Sequence, residues 1–95
     1  MKAKTVDGPP IGTPYGDVQV RVVIRGGQLV DVRALVLPSD RAHSRRISAE
    51  AAPLLRDEAL QAQSAQIDTI TGASYTSEGY RESLQSALDQ AGVRA

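Results

Sequence analysis

The sequence predicts an α+β fold: a small antiparallel sheet, built from a hairpin plus short strands, with helices packed on one face. Three observations carry this expectation. Val18, Val20, Val22 and Ile24 alternate with Gln19, Arg21 and Arg25, the period of a half-buried strand. Gly26-Gly27 separates that run from a second β-branched run, Leu29 to about Leu37, and strands joined so tightly are antiparallel. Beyond Pro38 the apolar spacing changes to three and four residues, the period of helices.

Taken in order, Ala3 to Val6 reads at best as an edge strand. Residues 7–17 carry Gly8, Pro9, Pro10, Gly12, Pro14 and Gly16 and read as a loop. The hairpin contains a phase conflict. A two-residue loop pairs Ile24 with Leu29, yet the second strand's own alternation puts Val30, Val32, Ala34 and Val36 on one face. Either the loop has an odd number of residues or a bulge near Val30 restores the phase. Ser39 to Arg46 reads as a polar connection. Helical spacing follows at Ile47, Ala51, Leu54/Leu55, Ala59 and Ala62, with Ser44 and Ser48 as possible N-caps. Pro53 implies two short helices, or one kinked helix restarting there. A brief strand, Gln66 to Ile70, precedes a final helix from about Thr76 to Ala91. That helix buries Tyr80, Leu84, Ala87/Leu88 and Ala91 and stops at Gly92.

Size and composition narrow the function. The 95 residues suffice for one domain, 1–95, and not for two cores. Eleven basic and eleven acidic residues cancel, which gives no electrostatic case for nucleic acid or an anionic membrane. The local bunch Arg41, His43, Arg45 and Arg46 reads as a solvated loop or as a small anion-facing patch, and His43 by itself as a solvated loop residue. The absence of cysteine excludes disulfides and thiolate chemistry. No apolar run approaches the roughly 20 residues of a membrane span, and Met1 to Lys4 does not open a signal peptide. No catalytic nucleophile, acid–base pair or metal cluster is apparent. Aromatic residues number three, all Tyr, so the core must be aliphatic.

The informative stretch is Asp68-Thr69-Ile70-Thr71-Gly72-Ala73-Ser74-Tyr75-Thr76-Ser77, where strand passes into helix. A helix start exposes unpaired N–H groups and about half a positive charge, which suit a phosphate. Gly72 permits close backbone approach, and Ala73 keeps the ground clear of bulk. Thr71, Ser74, Thr76 and Ser77 can donate to phosphate oxygens, or one can become bonded to the phosphorus. From these residues alone, an N-cap with spare hydroxyls is the better account of the pattern. Tyr75 and Tyr80 read first as packing residues, Tyr75 being the better candidate to stack on a flat ligand.

The string Asp68, two spacers, Thr71-Gly72-Ala73-Ser74 resembles the flavin-attachment motif of the FMN-binding domain family. In that motif Asp, two spacers, Ser or Thr, Gly, Ala, and Thr or Ser follow in this order. The family includes flavoprotein components of the sodium-pumping NADH:quinone reductase and of the related Rnf electron-transport complex. The hairpin, middle helix, motif and last helix occur in the family's order over nearly the whole chain. The resemblance implies FMN as cofactor, joined by a flavin transferase through its phosphate to Ser74. It also implies redox partner proteins and an extracytoplasmic or membrane-associated setting. Ser74 stands where the family most often has Thr. A Glu-Thr-Pro-Gly-like stretch of the larger members is replaced here by Asp40 to Arg46, a segment that would cover one edge of the flavin with Ser44 or Ser48 as donors. Asp68 is expected to serve transferase recognition or to brace the turn. Three readings stay open: an electron-transfer domain with covalent FMN, a non-covalent accessory or sensor module, and an interaction domain with an empty site.

Overall fold

The computed structural model describes residues 2–39 and 42–93. Four strands, β1 (Lys4–Asp7), β2 (Ile11–Thr13), β3 (Gly16–Arg25) and β4 (Gln28–Val36), precede two helices, α1 (Ala42–Ala62) and α2 (Ser74–Ala91). All pairings are antiparallel and all are made with β3, so the architecture is the expected α+β sheet with helices on one face. The alternation at Val18, Val20, Val22 and Ile24 explains the central place of β3, because all four are buried. Leu55, Ala59, Leu84, Ala87 and Leu88 close over them in one largely aliphatic cluster. No helix among the described residues is long and apolar enough to cross a membrane.

The phase conflict in the hairpin is resolved by a bulge. Gly26-Gly27 is a two-residue loop, with Arg25 opposite Gln28 and Ile24 opposite Leu29. Val23 then pairs with Asp31, so Val30 is the extra residue and stands 44% exposed. A second shift between Gln19 and Val20 makes Leu35 extra in the same way. The two bulges overturn the expected common face of Val30, Val32, Ala34 and Val36: Leu29 and Val32 are buried, and the other three residues are exposed. The edge strand is pinned to α1 at the first bulge. Asp31 accepts hydrogen bonds from Arg56 Nε at 2.8 Å and Arg33 Nε at 3.2 Å. The Gln63 amide brackets the Leu29 backbone with two bonds of 2.8 Å.

Five other expectations need correction. The punctuated loop of residues 7–17 contains β2, which pairs with β3 through Ile11 and Val18. The polar connection is shorter than expected, because α1 begins at Ala42; Asp40 and Arg41 lie outside the described residues. Ser44 and Ser48 are therefore inside α1 and are not caps, and the Ser48 hydroxyl donates to Pro38 O at 3.1 Å. α1 also runs through Pro53 as one 21-residue helix, which sets aside the expectation of two short ones. The proline is exposed, and Ala51, Leu55 and Ala59 bury the same face on both sides of it, so tertiary packing carries the helix across the missing donor. Finally, Gln66 to Ile70 forms no strand. Side chains take the bonds a neighbouring strand would have made: Asp68 N–H donates to Glu58 Oε1 at 3.2 Å and Ile70 N–H to Ser77 Oγ at 3.0 Å.

β1 and β2 pair with successive stretches of β3, with Gly8-Pro9-Pro10 between them. Gly8 N–H still reaches Val20 O at 2.9 Å, but the prolines bring no donor of their own. Ser83 of α2 repairs the gap. Its hydroxyl accepts from Val20 N–H at 3.1 Å and donates to Pro9 O at 2.8 Å, in a fully buried position. Ser83→Ala strips both partners and should cost about 1–3 kcal/mol, read as a lowered denaturation midpoint with unchanged slope. An unchanged midpoint would contradict the bridging role.

Candidate functional site

The segment before α2 is a turn held from below. Ala73 N–H returns to Ile70 O at 2.9 Å, and Gly72, the third residue of that turn, has φ +84°. A side chain there would be strained, which explains glycine at this position. Ser77 locks the turn: its hydroxyl donates to Ala73 O at 2.7 Å while accepting from Ile70 N–H. The last helix starts two residues earlier than expected, at Ser74, with Ala73 in the cap position and no side-chain cap bond. The first helical return bond of this end runs from Ser77 N–H to Ala73 O at 2.9 Å. The backbone N–H groups of Ser74, Tyr75 and Thr76 therefore lack the capping partner that Ser, Thr, Asp or Asn would bring.

These three residues open onto a cavity of about 450 Å³. Gly72, Ala73, Ser74 and Thr76 line it together with His43 and Ser44 from the start of α1. The first turns of two helices thus border the same space, and none of the lining residues among the described ones is acidic. Helix starts favour anions, each by roughly 0.3–1 kcal/mol at an exposed site. Tyr75, Tyr15, Pro38 and Ile47 supply the apolar remainder. The rings of Tyr15 and Tyr75 meet edge to face, their centroids 5.6 Å apart.

Of the residues singled out from the sequence, Gly72, Ala73, Ser74, Tyr75, Thr76 and Ser44 come together at this cavity. Ser74 is exposed there, and its hydroxyl has no hydrogen-bond partner among the described residues. Thr71 is exposed but does not line the cavity, and neither does Asp68. Ser77 and Ser48 are buried and bonded to backbone carbonyls. Tyr80 is a core residue, 1% exposed, with its hydroxyl unpartnered; burial holds the phenol above its usual ionisation range. Sequence reasoning missed Tyr15, Pro38 and Ile47, and took His43 for a loop residue when it stands in the first turn of α1. Only Tyr15 gave a signal, as one of three aromatic residues in the chain and the one placed in a turn.

FMN needs a seat for a phosphate and a flat apolar seat for its ring. The cavity has both kinds of lining, and its volume lies within the range of about 300–1,000 Å³ common for cofactor sites. The residues present fit the group. The model of the FMN-binding domain family matches residues 15–89, which take in both cavity tyrosines and the whole turn. A search of curated proteins gave no significant match. By this match over most of its length the chain belongs to the FMN-binding domain family, and its cofactor is FMN.

Proposed function

We propose that this protein is an electron-transfer module that carries FMN covalently, through an ester between the flavin phosphate and Ser74. One observation carries the reading: Ser74 offers an exposed, unbonded hydroxyl at the cavity, at the start of a helix whose first N–H groups have no side-chain cap. A flavin transferase can reach such a hydroxyl, whereas Ser77, three residues on, is committed to the turn. Attachment needs a flavin dinucleotide as donor: the Oγ–phosphorus bond would form as the pyrophosphate bond breaks, and the nucleoside monophosphate would leave with the proton that Oγ gives up. The phosphate then keeps a single negative charge instead of nearly two. Backbone N–H groups of Ser74, Tyr75 and Thr76 can hold a monoanion without an arginine. No Lys or Arg occurs between Asp68 and Tyr80, in keeping with that division of labour.

When bound, the flavin supplies one- or two-electron redox chemistry, and the chain supplies position and electrostatics. Gly72 and Ala73 keep bulk away from the phosphate end. His43 and Ser44 approach from α1 and offer side-chain donors. Asp68, outside the cavity and exposed, is free to serve recognition by the transferase. The setting that suits this role is extracytoplasmic or membrane-associated, with redox partner proteins on either side of the flavin.

Coexpression with a flavin transferase, followed by intact-mass measurement, tests the assignment. The parent should gain one FMN less one water. Ser74→Ala should remain folded with little change in stability, because Ser74 caps nothing, and should lose the mass gain entirely. Ser77→Ala should do the reverse: stability falls by about 1–3 kcal/mol as Ile70 N–H loses its acceptor, while the acceptor hydroxyl remains. A loaded Ser74→Ala variant would move the attachment elsewhere, with Thr76 the next hydroxyl to change. Flavin that binds the parent but is released on denaturation would replace the ester with a non-covalent site.

A further inference from the structure

We propose that Tyr15 and Tyr75 together form the seat of the flavin ring system, as positioning residues that hold it against the mouth of the cavity. The inference rests on the reading that the flavin phosphate lies at the start of α2, and it extends that reading to the opposite end of the cofactor. The chain has only three aromatic side chains, and the fold spends them unequally. Tyr80 is buried in the aliphatic core, while Tyr15 and Tyr75 remain 44% and 49% exposed. Those two come from places 60 residues apart in sequence, the turn between β2 and β3 and the first turn of α2. Even so, their ring centroids lie within 5.6 Å at an interplanar angle of 62°. Mutual contact leaves each residue about half exposed, so the pair buries little for its own sake. Both rings line the cavity, and Pro38 and Ile47 continue the apolar lining.

The chemistry fits the flavin ring. Its three fused rings are flat and electron-poor, and phenol rings are electron-rich, so face or edge contact between them is favourable. Tyr15 is the partner that sequence spacing conceals. A purely structural pair would instead brace the β2–β3 turn against α2 and would be indifferent to flavin.

Tyrosine labelled at its ε carbons alone gives three carbon–proton signals, assigned with Tyr15→Phe, Tyr75→Phe and Tyr80→Phe. On loading with FMN by a coexpressed flavin transferase, the ring current should displace the Tyr15 and Tyr75 signals and leave that of Tyr80 in place. Flavin fluorescence, quenched in the loaded parent, should recover toward that of free FMN in Tyr15→Leu and Tyr75→Leu at unchanged mass gain. Loaded protein in which the Tyr15 and Tyr75 signals do not move, or in which both Leu variants keep the parental fluorescence, overturns the seat. Should the parent gain no mass, the same spectra are taken with free FMN added. Displacement of those two signals then supports the seat while the ester falls, and three unmoved signals remove the seat as well.

Discussion

The close approach of α2 to β3 is the constraint on which the rest of the structure depends. At Gly79 there is no room for a side chain: a Cβ atom would stand 2.9 Å from Val18 Cγ2 and 3.3 Å from Thr13 Cγ2. A glycine inside a helix costs about 1 kcal/mol relative to alanine, and here that cost is offset by the packing it allows. One turn further on, Ser83 bonds to the backbone of both Val20 and Pro9. These two contacts fix α2 along its axis as well as against the sheet. The start of the helix is thereby carried to the turn that bears Tyr15, and the Ser74 side of the cavity follows from the packing of the core.

The sheet tolerates this because its irregularities lie at its edges. Bulges at Val30 and Leu35 let β4 keep Leu29 and Val32 in the core while the strand's outer part turns away. The Pro9-Pro10 break on the other side removes donors where Ser83 can substitute. Elements with no ladder of their own are held by side chains instead, as Gln63 holds the end of α1 to Leu29 and Ser77 holds the turn before α2. The arginine pairs around Asp31 are too exposed to add much, since such pairs contribute roughly 0–1 kcal/mol each.

Much of this was legible in the residues. Strict alternation along Val18 to Ile24 revealed the central strand, and the clash of phases across Gly26-Gly27 pointed to an irregularity at the hairpin that the bulge at Val30 supplies. The face of α2 and its Gly92 stop were equally plain; Gly92 takes φ +78° and Val93 N–H returns to Leu88 O at 3.0 Å. What stayed hidden depended on contacts distant in sequence. Pro53 argued locally for a break that the burial of Ala51 and Leu55 overrides. Gln66 to Ile70 looked like a strand because its backbone bonds go to side chains that periodicity cannot reveal. The motif exposed the α2 side of the cavity, but Tyr15, Pro38 and Ile47 joined it only through folding.

The turn and the cavity express a single arrangement: a helix start without a side-chain cap, small residues around it, and backbone N–H groups left for a ligand to satisfy. The backbone amides of Ser74, Tyr75 and Thr76 report on it directly, through their proton–nitrogen correlations and hydrogen-exchange rates before and after FMN is loaded. New hydrogen bonds to phosphate should give these three amides the largest downfield proton shifts in the chain and slow their exchange. Amides at Ser74 to Thr76 that neither shift nor gain protection, in protein that demonstrably carries FMN, would contradict a phosphate seat at this helix.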